Sequence, residues 1–177
     1  MIKRKGIFAL ACAMTIVGGM ASATPVHAAE KSGTTPVSYD NRNIVDVEGN
    51  GVWGVAIPTA ITFTDDLQTS KADIELVGLN GYDLSDFASI DVDGTVKSTN
   101  SYNLVGEGSA AGSTASYTYE LNGNAAFTAD ANEQAIDKLT LADSKQEGTA
   151  TLVNKGTKKG QHKDTLTFKF TGTSALK

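Results

Sequence analysis

Cysteine is all but missing from this chain: the single one, Cys12, lies inside an apolar run near the start. Tryptophan (1), histidine (2) and proline (3) are almost as scarce among the 177 residues. No second long apolar run follows the first, so no transmembrane anchor is expected beyond it. The scarcity of histidine leaves little material for proton transfer near neutrality. Few prolines, set against 18 glycines, leave most of the chain free to form extended segments joined by tight turns.

The start of the chain has the three parts of a secretory signal: Lys3, Arg4 and Lys5, an apolar stretch over residues 7–17, and Val26-His27-Ala28 at the cleavage position. Cleavage after Ala28 is expected, which makes the product secreted and either extracellular or cell-wall associated. Cys12 leaves with the leader, so disulfides, thiol catalysis and thiolate metal sites are excluded from the exported form. The three leader cations leave too, taking Lys plus Arg from 15 to 12 against 20 acids, a net charge near −8. So acidic a chain is a poor nucleic-acid binder, because neutralising phosphates needs clustered cations. The 149 residues that remain suit one domain with a hydrophobic core of ordinary size. No Leu-Pro-x-Thr-Gly phrase precedes Lys177, so retention at a surface is expected to be non-covalent.

Residues 29–51 are polar and read as a flexible N-terminal arm or one edge strand; residues 52–177 read as the folded domain. Trp53, Val55, Ile57, Ile61 and Phe63 fall at every second position apart from Thr59, which puts them on one face of an extended segment. The same alternation recurs at Ala72, Ile74 and Leu76, at Ile90, Val92 and Val96, and at Tyr117, Tyr119 and Leu121. Asn80-Gly81, Asp93-Gly94 and Asn122-Gly123 are read as tight turns between antiparallel strands. Residues 149–153 and 166–170 are read as a closing hairpin, with residues 154–163 as its loop. One short helix is expected over residues 131–138, where Asn132 is placed to cap it. The sum is an all-β chain: a single antiparallel β-sandwich, Ig-like, with at most one short helix.

The phrase Lys159-Gly160-Gln161-His162-Lys163-Asp164-Thr165-Leu166-Thr167-Phe168-Lys169-Phe170 resembles the closing strand of secreted Gram-positive surface domains. Residues 96–104, with Asn100-Ser101-Tyr102-Asn103-Leu104, are similar to the middle of those domains. Among named families the likeness is to the WxL-type cell-wall domain, over roughly the last half of the chain. The resemblance implies a β-sandwich at a cell surface. Phe168-Lys169-Phe170 stands where that family has Trp-x-Leu, so peptidoglycan binding does not carry over.

Candidate sites are few. After cleavage His162 is the only histidine, and among Lys155, Lys158, Lys159 and Lys163 it reads as a solvated loop residue rather than a catalytic base. Residues 46–51 imitate a calcium loop, but its twelfth position is Ile57 where a glutamate is required. Asp65-Asp66 and Asp91-x-Asp93 fit turn chemistry about as well as a weakly held calcium at a strand end, and no metal or other cofactor is expected. Tyr117 and Tyr119 share a strand face and are the best ligand candidates, although a core position with hydroxyls at the rim is favoured. Lys155, Lys158, Lys159 and Lys163 repel one another unless something anionic answers them, which makes them candidate contacts for a cell-wall polymer or another surface protein. Residues 37–47 are a candidate strand for self-association with a neighbouring copy.

Taken together, these features point to a non-catalytic secreted protein of the cell surface or extracellular matrix, acting by adhesion or self-assembly. The alternatives are a small carbohydrate-binding module that uses Tyr117, Tyr119 or Trp53, and a secreted hydrolase working through carboxylates.

Overall fold

A computed structural model describes residues 42–127 and 133–177. Asn132, the expected cap of the helix over residues 131–138, and residues 29–41 of the arm lie outside the described residues. The described chain is all-β and antiparallel: twelve strands, two single-turn 3-10 segments at Leu84–Asp86 and Gly108–Ala110, and no longer helix.

The strands are β1 (Asn43–Val45), β2 (Trp53–Ile57), β3 (Thr69–Lys71), β4 (Ile74–Gly78), β5 (Phe87–Ser98), β6 (Asn103–Gly106), β7 (Thr114–Leu121), β8 (Gln134–Thr140), β9 (Lys145–Gln146), β10 (Gly148–Asn154), β11 (His162–Lys163) and β12 (Leu166–Leu176). They form three sheets where one two-sheet sandwich is expected. Their orders are β1-β2-β4-β9, β11-β6-β7-β10-β3 and β12-β5-β8. One core cluster draws residues from all three, including Trp53, Ile74, Val92, Tyr119 and Leu139.

Alternation explains most of the core. Trp53 and Val55 are completely buried from one face of β2, and Ala115, Tyr117, Tyr119 and Leu121 are buried from one face of β7. Asn80-Gly81 and Asn122-Gly123 do turn the chain, each with both residues at positive φ. Gly148 is required for a different reason. A Cβ there would lie 1.9 Å from the Ala72 carbonyl oxygen, at the point where β10 passes the corner between β3 and β4.

Three expectations fail, each for a local reason. Residues 134–138 belong to strand β8, with Ile136 and Leu139 buried. Ile136 faces Gly94 and Leu139 faces Val92, so two residues of β8 oppose Asp93 alone. This β-bulge shifts the phase and leaves an apolar spacing of three that imitates a helix. Asp93-Gly94 is no turn but the middle of the twelve-residue β5. Gly94 sits opposite Phe170, and a Cβ there would come within 2.8 Å of that ring. The third failure is the closing hairpin: β10 pairs with β7 and β3, while β12 pairs along its length with β5.

The arm divides. Asn43–Val45 is a short edge strand paired with β2, and Arg42 is bonded to Glu75. Residues 37–41 of the candidate donor segment lie outside the described ranges.

The corner between β11 and β12 is held by one carboxylate. Asp164 Oδ2 accepts from the Ser98 hydroxyl at 2.6 Å and the Tyr117 hydroxyl at 2.7 Å. Its Oδ1 accepts from the backbone N–H of Asn100 at 3.0 Å and of Thr165 at 2.7 Å. Ser98, only 2% exposed, passes the chain on by accepting the Tyr102 N–H at 2.6 Å. The end of β5, the turn after it, β7 and the start of β12 thus converge on a single side chain. Asp164→Ala strands the Ser98 and Tyr117 hydroxyls without their acceptor, and is expected to cost about 3–4 kcal/mol in urea unfolding. Asp164→Asn, which keeps one acceptor oxygen, is expected to cost less.

Candidate functional site

The four lysines lie along one groove. The loop 155–163 forms its rim, Ile61, Phe63, Leu104 and Leu152 supply apolar lining, and its volume is about 860 Å³. What shapes the loop is Ser113, 2% exposed at the start of β7. Its Oγ accepts the N–H of Thr157 at 2.8 Å and of Lys158 at 3.2 Å. His162 Nε2 lies 2.9 Å from the same oxygen, and Nδ1 lies 3.1 Å from the Gly160 carbonyl.

With two N–H groups accepted, the serine hydrogen is free to point at Nε2, which matches the tautomer whose Nδ1–H faces the Gly160 carbonyl. His162 is therefore a half-buried brace in β11, not a solvated loop residue. The Ser113–His162 contact has the outline of a nucleophilic pair, but the buried hydroxyl is already spent on loop N–H groups. Gly156 makes room for the imidazole: a Cβ there would meet Nε2 at 2.2 Å.

The lysines find more partners than their sequence spacing suggests. Lys155 Nζ donates to the Asp65 carbonyl at 3.0 Å and lies 3.6 Å from its carboxylate. Lys163 Nζ is 2.7 Å from Glu107. Lys158 Nζ donates to the Ala111 carbonyl at 2.6 Å, a partner that leaves its charge uncancelled. The Lys159 ammonium makes no bond to any described residue, and Ser109 reaches only its carbonyl at 3.3 Å.

Tyr117 and Tyr119 are buried, as is Trp53, so none of the three offers a face to a sugar ring. The Tyr119 hydroxyl donates to the Ala72 carbonyl at 2.7 Å, and that of Tyr117 to Asp164. Tyr102 packs edge-on against Tyr117, with ring centroids 5.6 Å apart.

The aspartates of the calcium-loop imitation and of Asp91-x-Asp93 have partners within the protein, and Asp91 and Asp93 lie in strand β5 rather than in a turn. Asp46 accepts the N–H of Gly49 at 2.8 Å and of Gly51 at 2.9 Å. Asp91 and Asp93 flank Lys138, at 4.0 and 3.7 Å. Among the described residues no group of three or more His, Cys, Asp or Glu is placed to hold a metal ion, and no helix is long and apolar enough to cross a membrane.

Sequence reasoning missed Ser113 and Asp164. Their partners lie as far as 49 and 66 residues away in the chain, and no local motif marks them.

A second feature is the outer edge of β12. Thr165 directs its carbonyl to the Thr99 N–H of the β5 side. Since direction alternates along a strand, Leu166, Phe168, Phe170, Gly172 and Ser174 point their N–H and C=O groups away from β5. No other described strand pairs with this edge. Thr167, Lys169, Thr171 and Thr173 are exposed from the outward face, and Lys169 is engaged by Glu133 at 3.4 Å.

The chain matches no protein-family model, no curated protein and no solved structure.

The buried tyrosines set an alkaline limit. Burial, then the Asp164 charge, pushes Tyr102 up to about 12. Burial first, and then the bond to Asp164, raises Tyr117; burial, followed by the Asp73 charge, raises Tyr119. A raised phenol favours the neutral form in the fold, so this stability is complete below the ordinary value of about 10 and is lost as pH climbs from there towards the raised values. An alkaline titration is expected to show these three ionising together with the loss of near-ultraviolet circular dichroism. Ionisation of all three in an intact fold contradicts the assignment.

Proposed function

We propose that the protein is a secreted, non-catalytic component of a cell surface or extracellular matrix, and that it acts through contact surfaces by self-assembly and adhesion. In this reading the three sheets around one core serve as a single sandwich-like body that carries those surfaces. The observation that supports it most is the outer edge of β12, where five residues turn their backbone donors and acceptors outward along one long strand.

Such an edge is a template for pairing, and exposed edges are ordinarily blunted by prolines, bulges or several charges. β12 contains no proline and a single lysine, and its one irregularity comes at Ala175/Leu176, next to its end. Main-chain bonds to a further strand from a second copy give affinity without any special side chain. Residues 37–41, with Val37 and Tyr39 two apart, are the segment we assign as donor. Asn43–Val45 is already paired with β2 and is left in place.

Sedimentation of the mature chain, residues 29–177, over a range of concentrations, with electron microscopy of the same samples, tests the reading. Concentration-dependent growth into extended assemblies is expected. The pair Thr171→Lys and Thr173→Lys adds charge to the exposed face of the edge strand and is expected to leave the monomer folded and unassembled. A parent chain that stays monomeric throughout contradicts the reading, as does a double variant that assembles like the parent.

A further inference from the structure

The groove under the loop 155–163 is a second surface, separate from β12, and rests only on the reading of the protein as one that acts by contact. Four lysines line it with two acidic residues, Asp65 and Asp164; Asp65 and, from outside the groove, Glu107 answer Lys155 and Lys163, and Asp164 is engaged by four hydrogen bonds of its own, which leaves the charges of Lys158 and Lys159 in excess. That excess of positive charge stands out in a chain of net charge −5. The loop is not loose, because Ser113 fixes its backbone at Thr157 and Lys158 and His162 braces it from behind.

Fixing the loop leaves donors unspent at its tip. The charge of Lys158 is not cancelled by a carbonyl, and Lys159 has no side-chain partner among the described residues. The backbone N–H groups of Lys159, Gly160 and Gln161 likewise meet no described acceptor. Backbone N–H groups beside cationic side chains are suited to an anion.

The chemistry narrows the ligand. Lysine acts as a point charge and suits a singly charged phosphodiester, whereas two-pronged recognition of carboxylates favours arginine, and no arginine lines this groove. The apolar lining at Ile61, Phe63 and Leu104 is suited to C–H faces rather than to bare ions, and about 860 Å³ is far more than one phosphate fills. We propose that this groove binds a linear polymer of polyol units joined by phosphodiesters, with phosphates at the Lys158–Lys159 lip and polyol carbons against the lining.

Calorimetric titration of the mature chain with synthetic glycerol-phosphate oligomers of increasing length tests this. Saturable binding that tightens with length and weakens as salt rises is expected. Lys158→Gln with Lys159→Gln is expected to weaken it at least tenfold, and Lys97→Gln on β5, outside the groove, to leave it unchanged. Lys159 has no structural partner, so Lys159→Gln alone is expected to show a measurable loss even if the double variant folds poorly. The β12 variant Thr171→Lys with Thr173→Lys is expected to bind like the parent, which separates this proposal from the assembly reading. Absence of binding at low salt overturns the proposal, as does equal binding of polyglutamate, equal competition by inorganic phosphate, or parental affinity in a folded Lys158→Gln, Lys159→Gln chain.

Discussion

Asp164 is the constraint from which the rest of the architecture follows. It sits where the chain leaves the sheet of β6, β7 and β10 and enters the sheet of β5, β8 and β12, and its two oxygens accept from both sides of that passage. A carboxylate can do this because it accepts through two oxygens with several lone pairs. Both hydroxyls that it accepts from, Ser98 and Tyr117, are buried and would otherwise be costly. The same clasp fixes where β12 begins, and so the register that sets Phe170 over Gly94 and Gly172 near Trp53. It also delimits the lysine loop, whose last residue is the neighbour Lys163.

Much of the strand content could be read from alternation, and the reasons for the failures are specific. Trp53 and Val55, or Tyr117 and Tyr119, lie in undisturbed stretches where a period of two survives intact. In β8 the bulge opposite Asp93 breaks that period, so Ile136 and Leu139 take on a helical spacing. Asp93-Gly94 has the composition of a turn, yet its glycine is there to make room for an aromatic ring on the next strand, a need visible only once the pairing is known. Pairing itself is the least legible property. Nothing local tells residues 166–170 to pass over residues 149–153 and join β5 instead.

The candidate site was legible in part. The lysines announce themselves by their spacing, but their behaviour depends on Asp65, Glu107 and Ala111, all distant in sequence. Three of the four thereby find partners, and the free charge concentrates at Lys158 and Lys159. Ser113, which shapes the loop, is one serine among many until the fold brings His162 to it. The aromatics that a sugar-binding reading would use are drawn into the core, while a strand edge and a cationic groove lie at the surface. In the function proposed for them, both would work through geometry and charge rather than through a reactive group.

The claim most exposed to test is that the outer edge of β12 is free in the monomer and is the surface on which copies join. Residue-resolved hydrogen exchange at low and high protein concentration measures this directly. The account predicts that the N–H groups of Leu166, Phe168, Phe170, Gly172 and Ser174 exchange quickly in dilute solution and become protected as assembly proceeds, while those of the β5-facing residues stay protected throughout. Protection of the outward set that does not depend on concentration, or assembly that leaves it unprotected, would contradict the account.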